Sequence, residues 1–72
     1  MTRELATKIA TDLVEGGINT RHVTALTAET HNVTISQVRK IKQIVKRMGK
    51  SMEVSMIDAI ENGWEDDAIK SI

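Results

Sequence analysis

The apolar positions along the chain recur every three or four residues, which is the spacing of one face of an α-helix. In the amino-terminal segment this apolar stripe consists of Leu5, Ile9 and Leu13. Thr2 can cap the start of that helix, and Gly16 and Gly17 can end it because glycine readily adopts left-handed backbone. We therefore predict a first helix over about residues 2–15.

Two further helices are predicted in the middle of the chain. Asn19 or Thr20 can cap a second helix that extends to about residue 30, and Thr34 can cap a third helix. The segment 31–33 interrupts the apolar pattern between them. Gly49 is predicted to end the third helix just after residue 48, since glycine is strongly enriched at that position.

The last third of the chain predicts a fourth helix and a short fifth one. Ser51 can cap the fourth helix, and Asn62 and Gly63 can end it. Residues 64–72 allow at most about two further turns. We expect a single domain with a three-helix core over residues 1–50. Residues 51–72 form an acidic helical extension, which either belongs to that domain or serves dimerisation.

The composition favours helices over strands. The 72 residues include no Cys, no Pro and one aromatic residue, Trp64. Sandwiches and barrels use more aromatic residues, so we predict an all-α fold of four to five short helices. The chain lacks the disulfides that small secreted domains usually need, and no apolar run approaches the ~20 residues that span a bilayer. We therefore expect a cytoplasmic protein that does not insert into membranes.

The charges are sorted along the chain, although they sum to zero. Residues 30–52 contain no acid, and their six Lys and Arg residues are Arg39, Lys40, Lys42, Lys46, Arg47 and Lys50. From residue 53 onwards the acids are Glu53, Asp58, Glu61, Glu65, Asp66 and Asp67, against the single base Lys70. Segregation of this kind indicates a basic surface followed by an acidic tail.

The third helix has one apolar face and one cationic face. When residues are projected at 100° intervals, the apolar face consists of Val38, Ile41, Ile44, Val45 and Met48. A solvated surface is the ordinary explanation for the charged face, but such faces usually mix the two signs. Here Lys42 and Lys46, four residues apart, repel each other at a cost of a few tenths of a kcal/mol. The pattern favours a negatively charged partner such as DNA.

The segment from residue 27 to residue 41 resembles the helix-turn-helix of small bacterial and phage regulators. In that family a small residue lets two helices cross closely, a left-handed residue makes the turn, and apolar residues seat the second helix. The matching residues here are Ala28, Asn32, Val33, Val38 and Ile41. Asn32 replaces the usual glycine and tolerates left-handed backbone. Thr27 and His31 stand where the family has apolar residues.

The resemblance implies that the start of the third helix enters the major groove of DNA. The residues that would face base edges are Ile35, Ser36, Arg39 and Lys40. Those that would face phosphates are Arg21, Thr34, Lys42, Gln43, Lys46 and Arg47. The implied function is that of a small transcriptional regulator or a DNA-recognition accessory of phage or plasmid type, acting as a homodimer on double-stranded DNA.

The acidic extension allows other interpretations. The residues expected to contact a second copy or another protein are Met52, Met56, Ile60, Trp64 and Ile69. Trp64 can pack over the chain's own core, which we favour, or anchor a docking element together with the acids that follow it. The rival function is therefore a helical module that inhibits or adapts a partner protein through this tail. The tail can also cover the basic helix and compete with DNA.

Catalysis, cofactors and metals find no support in the sequence. The chain has neither a nucleophile motif nor a glycine-rich phosphate loop. His22 and His31 lack a third ligand at a suitable spacing. We expect a protein that is not an enzyme and that binds no cofactor and no metal.

Overall fold

The computed structural model of the protein describes residues 1–72 and contains five α-helices and no β-strand. The helices are α1 (Arg3–Gly16), α2 (Arg21–His31), α3 (Ile35–Met52), α4 (Met56–Asn62) and α5 (Asp66–Lys70). The predicted all-α fold of four to five short helices is confirmed. None of the helices combines the length and the apolar composition needed to cross a membrane.

The starts of α1 and α3 are fixed by the threonines that the sequence marks as caps. Thr2 Oγ1 accepts a hydrogen bond from the amide of Leu5 at 3.2 Å. Thr34 Oγ1 accepts one from the amide of Gln37 at 3.0 Å, and the Gln37 side chain accepts one from the Thr34 amide at 3.0 Å. This reciprocal pair satisfies two amides at the helix start, so α3 begins at a defined residue.

The turn between α2 and α3 depends on Asn32, whose backbone is left-handed with φ of 54° and ψ of 47°. The predicted left-handed conformation of this residue is confirmed. The next amide, of Val33, donates to the carbonyl of Ala28 at 3.0 Å, and the Val33 side chain packs against the core. Three residues are thus enough to redirect the chain from α2 into α3.

The carboxyl end of α3 differs from the prediction. Gly49 does not end the helix but lies inside it, buried, and α3 continues to Met52. A Cβ atom on Gly49 would stand 3.3 Å from Met56 Cγ, so the missing side chain lets α4 pack closely. The left-handed residue at the end of α3 is Glu53, with φ of 56°.

The start of α4 also lies later in the chain than predicted. Ser51 was the predicted cap, but it lies within the last turn of α3. Ser55 caps α4 instead, because its Oγ accepts a hydrogen bond from the amide of Asp58 at 3.2 Å. The prediction misjudged this boundary because a glycine that permits close packing looks the same in sequence as one that ends a helix.

A single hydrophobic core joins all parts of the chain. Its members from residues 1–50 are Ala6, Ile9, Ala10, Leu13, Ile18, Ala28, Val38, Ile41 and Val45. The carboxy-terminal segment adds Ile60, Trp64 and Ile69, which are 1%, 7% and 9% exposed. Helix α1 contacts α2, α3 and α4, and α4 also packs on α3. Residues 51–72 therefore share the core of residues 1–50, and the packed arrangement of Trp64 is confirmed.

Two ion pairs tie helices together at the surface. Arg3 Nη2 lies 2.7 Å from Asp66 Oδ1 and links α1 to α5. His31 Nε2 lies 2.6 Å from Asp12 Oδ2 and links α2 to α1. The second contact explains why a histidine can stand where the helix-turn-helix pattern has an apolar residue: its partner is a carboxylate of α1 and not the core.

Candidate nucleic-acid interface

An open groove of about 460 Å³ lies between the start of α2 and the first half of α3. Its cationic side chains are Arg21, Arg39 and Lys42, and its apolar floor includes Ile35. Asn19, Thr24 and Ala25 complete the lining. The fold thus brings together two predicted phosphate contacts, Arg21 and Lys42, with two predicted base contacts, Ile35 and Arg39.

The rest of the basic face of α3 is also open to solvent. Ser36, Gln43 and Arg47 are exposed, while Lys42 is half-buried where it meets the groove. Ile35 is unusual for an aliphatic residue because 45% of its surface is exposed. An apolar side chain and several cations therefore share one accessible surface at the amino-terminal half of α3.

No carboxylate neutralises the cations of α3. The only ion pairs in the chain are Arg3 with Asp66 and His31 with Asp12, and neither involves α3. Lys40 Nζ donates instead to the backbone carbonyl of Ser71 at 2.6 Å, and Lys46 Nζ donates to Asn19 Oδ1. Both acceptors are uncharged, so the positive charge of the face persists.

These two hydrogen bonds join the basic face to neighbouring segments. On one side Lys46 is bonded to Asn19 in the loop before α2, next to the groove. On the other side Lys40 reaches the carboxy-terminal segment through Ser71. The acids of that segment form no ion pair with α3, so the tail borders the basic face without neutralising it.

The start of α2 offers backbone donors beside the groove. Thr20 caps α2 without a side-chain hydrogen bond. The amides of Arg21 and His22 donate to no atom of the chain, whereas those of Val23 and Thr24 donate to the Thr20 carbonyl. Unpaired amides at a helix start attract anions, and Arg21 adds a full charge at the same place. This arrangement suits a phosphate.

Thr34 has the capping role that the sequence predicts for it, and it is also one of the predicted phosphate contacts. Its hydroxyl and amide are both bonded to Gln37 in the cap of α3. A phosphate contact through this side chain would have to compete with those bonds. Thr34 therefore acts first as the residue that fixes the start of α3.

The structure corrects the predicted partner surface. Ile60, Trp64 and Ile69 are buried in the chain's own core, so their apolar surface is not available to a second protein. Met56 is half-buried, and only Met52, at 43% exposure, remains accessible. The exposed acids Glu65, Asp66 and Asp67 thus lack the exposed apolar anchor that the rival docking function needs.

Asn19, Thr24 and Ala25, on the α2 side of the groove, are not among the residues predicted from the sequence. Thr24 and Ala25 follow Arg21 by three and four residues and therefore lie on one face of α2. A helical projection of α2, as applied to α3, would have found this face. Asn19 carried no such signal, because its bond with Lys46 joins residues far apart in the chain.

No metal cluster accompanies these groups, since no three His, Cys, Asp or Glu side chains come together to hold an ion. Comparison with known proteins found no match to this chain among family models, curated proteins or solved structures. The helix-turn-helix and its function stay predictions, and the groove, the basic face and the cap geometry are the observations that bear on them.

Proposed function

We propose that the protein binds double-stranded DNA through the amino-terminal half of α3, with α2 and α3 acting as a helix-turn-helix. The observation that carries this proposal is the set of cations on α3 that no carboxylate neutralises. Two of them, Arg39 and Lys42, line a groove together with Arg21. In this arrangement α3 lies in the major groove, and the start of α2 lies against the phosphates.

The absence of ion pairs at the cations of α3 supports a negatively charged partner. The chain has as many acids as bases, so carboxylates are available to pair with α3. Instead Lys42, Lys46 and Lys50 follow one another at four-residue spacing, which opposes helix formation by a few tenths of a kcal/mol per pair. A polyanion relieves that repulsion along the whole face, and releases bound counterions as it does so.

The first turns of α3 carry groups suited to base edges. Ile35 exposes an aliphatic surface that matches a thymine methyl group. Arg39, beside it in the groove, can donate two hydrogen bonds to guanine O6 and N7. Ser36 can donate or accept on the same face. These contacts would supply sequence preference, while Lys42, Lys46 and Arg47 would contact phosphates.

The biological role that fits such a small module is that of a transcriptional regulator or a DNA-recognition accessory of phage or plasmid type. These 72 residues contain one helix with a cationic face, α3, which would serve as the recognition helix. The proposed role rests on the DNA-binding proposal and is tested only after it.

The test is fluorescence anisotropy of a labelled random duplex at about 50 mM and about 200 mM salt. Four phosphate contacts, from Arg21, Lys42, Lys46 and Arg47, give a slope of about −3.6 for log K against log salt, or about a 150-fold loss of affinity over this interval. Absence of binding at the lower salt would refute the proposal.

Matched variants locate the site. Arg39→Gln with Lys42→Gln removes two charges from the groove, and Lys8→Gln with Lys70→Gln removes two exposed charges outside it. We expect the first variant to lose at least about tenfold in affinity and to flatten the salt slope by about 1, because of the two residues only Lys42 contacts a phosphate. We expect the second variant to change affinity by less than about threefold. Equal losses in the two variants would show that net charge matters and the groove does not.

A further inference from the structure

A second cavity lies on the carboxyl-terminal half of α3, and it shares no lining residue with the groove of the proposed DNA interface. It is a cleft of about 190 Å³ that α3 lines together with residues of the segment 63–68. Its apolar side chains are Ile44, Met48, Met52 and Ala68. We call it the α3–α5 cleft.

The walls of the α3–α5 cleft are fixed by the fold. Ile44 and Met48 are half-buried and pack against the hydrophobic core. On the other side Gly63 lines the cleft, and a Cβ atom on it would stand 2.8 Å from Met52 Sδ. The φ of Gly63 is −103°, which any residue can adopt, so the glycine provides space and not backbone freedom. A side chain at this position would displace the Met52 wall.

Two opposite charges line the cleft and are unpaired within the chain. Arg47 and Glu65 are both exposed, and neither belongs to an ion pair. Glu65 is the cap residue of α5, but its carboxylate makes no capping hydrogen bond. Both charged groups are therefore free to bind a ligand that enters the cleft.

The size of the cleft limits what it can hold. A volume of about 190 Å³ corresponds to about six water molecules at ~30 Å³ each. Sites for drug-sized ligands begin at about 300 Å³. The cleft therefore suits a small metabolite and is too small for a nucleotide.

The two charges select the kind of metabolite. A simple anion would be repelled by Glu65, and a simple cation would be repelled by Arg47. A zwitterion satisfies both, because its carboxylate accepts hydrogen bonds from the guanidinium and its ammonium donates to the glutamate. The remaining lining is apolar, and the flexible side chains of Met48 and Met52 adapt to a branched aliphatic group. An α-amino acid with an aliphatic side chain has all three parts.

We propose that the α3–α5 cleft binds a free α-amino acid with an aliphatic side chain. Arg47 holds the carboxylate, Glu65 holds the ammonium, and the aliphatic group lies against Met48 and Met52. The hydroxyl of Ser51, which also lines the cleft, adds a group that can donate a hydrogen bond to the carboxylate.

Arg47 connects the cleft to the proposed function, and this part of the inference rests on that function. Arg47 lines the cleft and is also one of the four residues that we propose to contact phosphates. A guanidinium that holds the carboxylate of an amino acid is not available to a phosphate. An amino acid in the cleft should therefore weaken the binding of DNA.

The first test is a titration of the isotope-labelled full chain with L-leucine up to about 10 mM, followed by amide NMR spectra. We expect saturable changes at the residues that line the cleft, with a dissociation constant below about 1 mM, since very small ligands bind efficiently per atom. Changes that do not saturate would overturn the proposal, and so would changes centred on the groove of Arg21 and Arg39.

Analogues of leucine test the two charges of the ligand. N-acetyl-L-leucine lacks the ammonium and L-leucinamide lacks the carboxylate. Each should bind at least about fivefold more weakly than L-leucine, because a charge-assisted hydrogen bond is lost. Equal affinities would contradict the proposal. N-acetyl-L-leucinamide imitates a leucine within a peptide, and tighter binding of this compound would show that the occupant is a peptide segment and that the proposal is wrong.

Matched variants locate the site on the protein. Glu65→Gln removes the acid that lines the cleft, and Asp67→Asn removes an exposed acid of α5 outside it. The first should weaken leucine binding at least about fivefold, and the second should change it by less than about twofold. Equal effects would contradict this site. Circular dichroism checks that both variants are folded.

Measurement of DNA binding separates this inference from the proposed function. Saturating L-leucine should change the salt slope of duplex binding from about −3.6 to about −2.7, because one of four phosphate contacts is lost. An unchanged slope with bound leucine contradicts only the link through Arg47. A chain that binds leucine but no DNA contradicts only the proposed function. A chain that binds DNA but shows no saturable response to leucine contradicts only the proposed cleft ligand.

Discussion

Replacement of Trp64 by alanine tests whether the carboxy-terminal segment is part of the fold. Trp64 is 7% exposed and is the only aromatic residue of the chain. Truncation of a buried tryptophan costs about 3 to 5 kcal/mol, because apolar contacts are lost and a cavity remains. A chain of this length has a total stability of about 4 to 11 kcal/mol. Trp64→Ala should therefore remove a large part of it.

The assay is thermal unfolding followed by far-UV circular dichroism. A loss of about 3 kcal/mol lowers the midpoint by at least about 12 °C in a domain of this size. In the wild-type protein the fluorescence of Trp64 should change together with the dichroism during urea unfolding, because one core unfolds as a unit. The two probes together distinguish a shared core from a separable tail.

Trp64→Phe is the matched control. The indole Nε1 is buried without a hydrogen-bond partner, and such a group costs about 1 to 3 kcal/mol. Phenylalanine removes that cost while it loses part of the ring volume, so we expect a change within about 1 kcal/mol. If Trp64→Ala unfolds within about 2 °C of the wild type, the packing argument is wrong. The tail would then be available to a partner protein, which would support the rival function.

Further variants test the caps and the close approaches. Thr34→Ala should cost about 1 kcal/mol, because it removes the reciprocal cap of α3, whereas Thr20→Ala should cost less, because Thr20 makes no such bond. Equal losses would refute the cap assignment. Asn32→Ala should cost about 1 kcal/mol and Asn32→Gly almost nothing, since only the first puts an unsuitable side chain in left-handed backbone; the reverse order would contradict the turn geometry. Gly63→Ala should cost about 1 to 3 kcal/mol, because its Cβ would lie 2.6 Å from the Ala59 carbonyl oxygen. All are measured by chemical unfolding, and an unchanged Gly63 variant would show that α4 can shift.

The proportion of the fold that could be predicted depends on how local each signal is. Thr2 and Thr34 cap helices where the sequence places them, and Asn32 adopts the left-handed turn. Each of these features involves atoms only three or four residues apart, so the residue type and its spacing are sufficient information. The basic face of α3 was predictable for the same reason, since its periodicity is that of one helix.

Local sequence patterns were therefore enough to predict the number of helices, the starts of α1 and α3, the turn before α3 and the separation of basic from apolar faces. The packing of the helices was needed to learn that Gly49 allows the close approach of Met56, that Ser55 and not Ser51 caps α4, that Ile69 belongs to the core, and that Arg21 joins Arg39 in a groove. Apart from the cap of α4, these contacts join residues that are distant in the chain or belong to different helices. The packing of the helices decides which residues meet, and the local sequence around each residue does not specify that packing.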